Sequence, residues 1–271
     1  LRLCPYSIDA LPRHFAQARQ LKTMKDTTRR AFLASCGVAS LLWIGSAGIE
    51  SAQRLTSHLA YRRLESKTPA IANVAIRPNS SSDKGVDSLL DHNKDAAGWL
   101  IVENTPISYP LVQASPQHKD WYLYHDFWNQ RDVAGCPFID DRSTVSSQHV
   151  LVFGHHLGST DLMFSSLASA WKENAFQTLG SASIETVDRL VYRFKPLCAL
   201  HVEKDHELIQ RFKWSDNTEM RNWLSSILEQ ADTKTQTARE DIHTTRQVLT
   251  LATCSNAIAG QRERTLIVFS R

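Results

Sequence analysis

In LATCSNAIAGQRER, residues 251–264, Cys254 closes one apolar run and Arg264 opens the next, TLIVFS. A cysteine attacks a carbonyl carbon as its thiolate, and a neighbouring imidazole or guanidinium favours that form. HVLVFGHHLG offers the imidazoles, since His155 and His156 follow another apolar run. Successive residues of an extended chain point to opposite sides, so one of these histidines can face a cleft while the other faces away. An arginine heading the strand after Cys254 can return beside the thiol and donate hydrogen bonds to a carbonyl oxygen gaining negative charge. Arg262 lies two residues earlier, but Arg264 is preferred because it directly precedes the apolar run.

Each of these residues also has an ordinary use. A lone cysteine at a strand end is often a small buried hydrophobe. The GHH turn fits a surface turn or half of a metal site, although adjacent histidines diverge and no acidic or Cys ligand stands at helical spacing nearby. Arg262 and Arg264 would also serve as edge-strand charges that discourage aggregation. It is their placement together on strand ends that favours chemistry, with no cofactor and no metal required. A papain-like order is disfavoured, because there the cysteine precedes the histidine.

Strand ends need strands, and the chain supplies them. WLIV (99–102), YPLVQ (109–113), WYLY (121–124), HVLVF (149–153), RLVYRF (189–194), VLTLAT (248–253) and TLIVF (265–269) are short apolar runs punctuated by Asn, Asp, Gly and Pro. Such a pattern predicts a mainly β fold, a barrel or sandwich, with a few peripheral helices. DLMFSSLASAWK is read as a helix after the GHH turn. DNTEMRNWLSSILEQ is a stronger helix, with Met220, Trp223, Leu224, Ile227 and Leu228 on one stripe and Asp216 three residues before Glu219 as a capping-box start.

The formal net charge is +3, yet residues 1–30 hold seven basic and two acidic side chains, so the remainder is about neutral. A nucleic-acid groove needs its positive charge on the folded part, and that partner class is set aside. Residues 31–49, AFLASCGVASLLWIGSAGI, contain no charged side chain. As a helix they would span about 28 Å, close to the hydrocarbon thickness of a bilayer. The preceding arginines place the N-terminus in the cytoplasm and everything after residue 50 outside. TRRAFL and LASC resemble a twin-arginine export signal and a lipoprotein processing box, but an uncleaved anchor fits the length and flanks better. MKDTTRRAFL from Met24 reads as a natural start, which would make residues 1–23 an over-extension. The expected order is a basic cytoplasmic segment (1–30), an anchor (31–49), a juxtamembrane helix and linker (50–85) and a catalytic domain (86–271). Of the five cysteines only Cys136, Cys198 and Cys254 then lie outside the membrane, an odd number without a CxxC pair, so a dense disulfide framework is not indicated.

GHH after an apolar strand, TLATC (Thr250 to Cys254) and the Arg264-headed RTLIV together resemble the sortases, membrane-anchored cysteine transpeptidases of Gram-positive bacteria. GWLIVENTPISYPLVQ, YLYHDF, Gly135-x-x-Phe138-x-Asp140-x-Arg142 and MFSSL resemble class B blocks, as does the long insertion between RLVYRF and VLTLAT. The resemblance covers the chain from about residue 86 onward. It implies a closed sortase-type β-barrel in which Cys254 attacks the carbonyl after Thr of a sorting motif. His155 would protonate the leaving amine and Arg264 would hold the substrate or oxyanion. His156 stands where the family often has asparagine. The implied partners are a surface protein or pilin bearing the sorting signal and an amine acceptor such as a peptidoglycan cross-bridge. Two alternatives stay open on the residues: a cysteine protease that finishes the reaction with water, and a non-catalytic anchored β-domain.

Overall fold

Among the described residues the chain forms nine strands, most of them from the apolar runs. In chain order they are β1 (Ala96–Val102), β2 (Ser108–Gln113), β3 (Phe138–Ile139), β4 (His149–Phe153), β5 (Ala182–Thr186), β6 (Val191–Glu203), β7 (Thr233–Lys234), β8 (Val248–Cys254) and β9 (Glu263–Ser270). The computed structural model describes residues 59–65, 86–158, 160–255 and 262–271. The basic segment 1–30 and the expected anchor 31–49 lie outside the described residues, and no described helix is long and apolar enough to cross a membrane.

The strands pair in the order β5-β1-β2-β3-β4-β8-β9-β6, and β5 also pairs with β6, so eight strands close into a barrel. Closure leaves no unpaired edge around the ring. β7 adds outside this ring, at Cys198 and Ala199 of β6. Two of the pairings are parallel, β2 with β3 and β4 with β8. β6 is long enough to pair with β5 through Val191–Phe194 and then with β9 through Lys195–Glu203. Gly98 is required where β1 crosses β5, because a Cβ there would meet the Glu185 carbonyl oxygen at 2.2 Å.

β8 is buried along its whole length, so both of its faces are covered. Leu249 and Leu251 face the barrel interior, opposite Phe269 and Ile267 of β9. Val248, Thr250, Ala252 and Cys254 face outward. That outer face is roofed by the β6–β8 insertion, where helix 217–230 buries Met220, Trp223, Leu224, Ile227 and Leu228. Asp216 caps this helix by accepting from the Glu219 backbone N–H at 2.8 Å, as its sequence predicts. Under the roof His149 of β4 lies 5.1 Å from the Trp223 ring and 5.3 Å from Phe212.

Two predicted elements differ. WYLY is not a strand: Trp121–Leu123 form a single 3-10 turn. DLMFSSLASAWK holds only the 3-10 turn Ser165–Leu167, because Met163 sits at φ 53 and breaks the helical path. Its backbone donors are used elsewhere, Met163 N–H on the Tyr109 hydroxyl and Phe164 N–H on the His155 carbonyl. The helical residues 59–65 pack against the barrel, with Tyr61 and Leu64 buried and the Tyr61 hydroxyl donating to the Gly135 carbonyl at 3.1 Å.

Candidate active site

Cys254 is the last residue of β8, and antiparallel pairing sets Arg264 directly opposite it on β9. Cross-strand partners share a face, so thiol and guanidinium project to the same side. On its other side β8 runs parallel to β4, with Phe153 beside Ala252. Gly154 N–H adds one more link, donating to the Ala252 carbonyl at 3.1 Å. Two residues beyond Phe153 and Ala252 come His155 and Cys254. The thiol is thus flanked by an imidazole on one neighbouring segment and a guanidinium on the other. All three are nearly buried, His155 at 7%, Cys254 at 5% and Arg264 at 4% exposed.

The imidazole is held by atoms that sequence patterns do not reveal. His155 Nε2 lies 2.8 Å from the Leu123 carbonyl. A carbonyl only accepts, so Nε2 carries a hydrogen and donates it to the Leu123 carbonyl. The backbone of His155 is fixed as well, its carbonyl accepting from Phe164 N–H at 2.9 Å. Gly135, at φ 61, lets the 122–136 loop come close enough to seat the ring. A Cβ there would meet the Tyr122 carbonyl at 2.4 Å and His155 Cδ2 at 3.2 Å. Gly154 likewise admits the Phe164 ring, which a Cβ would meet at 2.5 Å.

His156 makes other contacts, with Nδ1 3.1 Å from the Cys254 carbonyl and Nε2 3.2 Å from the Gly158 carbonyl. Arg262 is separate too: its side chain is 65% exposed and ion-paired with Glu203 at 3.2 Å and Asp205 at 3.3 Å. Arg264 instead donates from Nη1 to the Glu263 carbonyl at 2.9 Å, a contact that steadies the guanidinium beside Cys254.

Cys136, Cys198 and Cys254 are all free thiols. Burial pushes the Cys136 and Cys198 thiols well up, which keeps them protonated and unreactive. Among the described residues no group of three or more His, Cys, Asp or Glu side chains is placed to hold a metal ion. Of the positioning groups, Gly135 and Phe164 lay within recognisable sequence blocks. The Leu123 carbonyl had no signal, being a backbone atom in a run that reads as a strand.

A thiol with imidazole and guanidinium neighbours, all carried on strand ends of a closed barrel, defines a class of cysteine acyl-transfer enzyme distinct from the helix-borne thiol proteases. No family model matches the chain. Sortase B of Listeria monocytogenes is 24% identical over 177 residues, 65% of this chain and 69% of that protein. Sortase B of Staphylococcus aureus is 24% identical over 188 residues, 67% and 72% of the two chains. The solved structure of a Staphylococcus aureus sortase B-substrate complex superposes with a TM-score of 0.65 at 20% identity, covering 81% of this chain and 97% of that one. The chain is similar to class B sortases over about two thirds of its length and shares their barrel fold, and this likeness supports a sortase-type cysteine transpeptidase.

Proposed function

We propose that the domain is held at the outer face of the cell membrane by residues 31–49 and joins proteins bearing a sorting signal to an amine acceptor. The observation that carries this reading is the pairing of Cys254 with Arg264 across the β8–β9 ladder, with His155 arriving from the β4 side. Cys254 gives its thiol proton to His155 Nδ1, and Sγ, as thiolate, attacks the carbonyl carbon after Thr in the sorting motif while the Arg264 guanidinium donates to the oxygen that becomes negative. As the C–N bond breaks, His155 gives its Nδ1 proton to the leaving amine, and a thioester remains on Cys254. An incoming amine then attacks the thioester, His155 takes its proton, and the thiolate leaves. The acceptor is a peptidoglycan cross-bridge or, in pilus assembly, a pilin lysine. The sortase B-substrate complex among the structural relatives supports a peptide-bearing substrate of this kind.

Amine dependence tests the reading. The soluble domain is incubated with a library of peptides with Thr at the scissile carbonyl, with and without triglycine, and products are followed by mass spectrometry. A triglycine-ligated peptide, absent with Cys254→Ala, is expected. Hydrolysed peptide alone would assign the protein to the proteases, and absence of any acyl adduct on Cys254 would make it a binding domain.

A further inference from the structure

His156 lies outside the thiol, imidazole and guanidinium set, yet it touches the nucleophile's own backbone. Its Nδ1 is 3.1 Å from the Cys254 carbonyl, and its Nε2 is 3.2 Å from the Gly158 carbonyl. We propose that His156 is a positioning residue: by donating from Nδ1 to the Cys254 carbonyl it extends the β4–β8 attachment to the residue that bears the thiol. This inference rests on Cys254 being the nucleophile.

The place of this tie follows from the ladder. β4 ends at Phe153, and the last main-chain link to β8 is Gly154 N–H on the Ala252 carbonyl. On its other side Cys254 pairs with Arg264 of β9, and Ser255 N–H donates to the Glu263 carbonyl at 3.3 Å. A side-chain donor reaching the Cys254 carbonyl adds a tie from the β4 segment to the last residue of β8. Because His155 and His156 are consecutive, the tie also sets the spacing between the general acid and the thiol: one residue holds the backbone that the other must face.

The segment carrying His156 is itself anchored. His156 pairs with Met163 in an isolated β-bridge, Met163 N–H donates to the buried Tyr109 hydroxyl at 3.0 Å, and Leu157 N–H donates to Ser165 Oγ at 2.9 Å. The imidazole therefore works from a fixed base rather than from a free turn. The donor that matters sits on the atom bonded to Cγ. Asparagine carries its amide nitrogen at that same position, so it delivers an equivalent hydrogen bond, whereas phenylalanine keeps the ring shape without any donor.

The test compares wild type, His156→Phe, His156→Asn and Cys254→Ala for steady-state cleavage of the peptide library, with thermal melts to confirm folding. His156→Phe should lose about tenfold or more in kcat with KM within about twofold, the signature of misplaced reacting groups rather than lost binding. His156→Asn should stay within about threefold of wild type. Should His156→Phe fail to fold, His156→Leu repeats the comparison with a smaller side chain. Wild-type kcat in the Phe or Leu variant, or an Asn variant as impaired as Phe, would overturn the proposal. Deuterium exchange of the peptide spanning 250–255 reads the tie without any substrate: faster exchange in His156→Phe but not in His156→Asn supports it, and equal exchange in all three refutes it. Absence of Cys254-dependent cleavage in the wild type, with the exchange pattern intact, would instead refute the nucleophile assignment.

Discussion

Two histidines on one strand path meet two hydroxyl- or thiol-bearing residues on the next, and the chemistry is proposed for only one of the pairs. His149 opens β4 and lies 2.8 Å from Thr250 Oγ1 of β8, while His155 follows β4 and stands beside Cys254 at the end of β8. Both pairs belong to the outer face of the same two strands. His149 is fully buried beneath Phe212, Trp214 and Trp223, with Nδ1 donating to the Arg211 carbonyl at 2.7 Å and Nε2 accepting from Thr250. Every polar atom of that ring is used, and nothing can approach it. At the other end His155 and Cys254 keep slight exposure, 7% and 5%, and His155 Nε2 is engaged with the Leu123 carbonyl. Residue type alone does not separate a structural histidine from the proposed acid; complete burial with both ring nitrogens bonded marks the structural one.

If that contrast holds, substitutions at the two ends must fail in different ways. Cys254→Ala or His155→Ala should lower peptide cleavage by about a thousandfold or more with melting temperature little changed, measured as kcat/KM beside a thermal scan. Arg264→Ala should cost about 10²–10³-fold in kcat/KM, because a buried donor to the developing oxyanion is removed. The exposed, ion-paired Arg262 gives the internal control, and Arg262→Ala should stay within about twofold. The reverse order would move the working guanidinium to Arg262.

Gly135→Ala probes the seat of His155 without touching a reacting group. A left-handed alanine costs roughly 1–2 kcal/mol in backbone energy. The larger consequence is displacement of the Tyr122–Leu123 backbone that a Cβ would strike. Activity should fall about tenfold or more while Cys254 remains accessible to a small alkylating agent, since the imidazole is moved and the thiol is not. Unchanged turnover would mean that the Leu123 carbonyl does not fix the ring.

How much of this was legible in the sequence follows the same divide. Strands β1, β2, β4, β8 and β9 announce themselves as apolar runs, and their ends carry the residues with chemical potential, so Cys254, Arg264 and the His155–His156 pair stood out from pattern, with His155 picked by the sortase resemblance. β3 spans two residues and β5, ASIET, mixes small and charged side chains, so neither has a readable period. Their strand character comes from neighbours that pair with them. WYLY carries strand-like residue types, but the Tyr122 ring is buried and its hydroxyl donates to Asp95 at 2.8 Å, which turns the chain into the loop that presents Leu123. The helical reading of DLMFSSLASAWK failed for a related reason, because Met163 and Phe164 spend their N–H groups on Tyr109 and His155. Tertiary hydrogen bonds around the site overrode local preference, and such bonds have no signature in one sequence.

The smallest and most specific expected effect concerns pH at the closed end of the face. Burial pulls the His149 pKa down from 6.5 to about 4, outweighing the Arg211 carbonyl and Asp140, which raise it, while Arg142 assists the lowering. The unfolded chain therefore binds a proton at this ring in a range where the folded chain does not. His149 lends its full contribution above about pH 6.5, loses it progressively as pH falls toward 4, and contributes no further slope below that. A difference of this size corresponds to about 3 kcal/mol across the window. His149→Phe keeps the stacked ring but cannot titrate, so subtracting its stability curve from the wild-type curve isolates the ring and cancels the carboxylates common to both. The difference should shrink steadily from pH 6.5 to 4 in urea-unfolding measurements, with kcat of the folded variant within about twofold of wild type. A flat difference curve would mean that His149 takes up its proton inside the folded protein, and the two ends of the β4–β8 face would then no longer differ in kind.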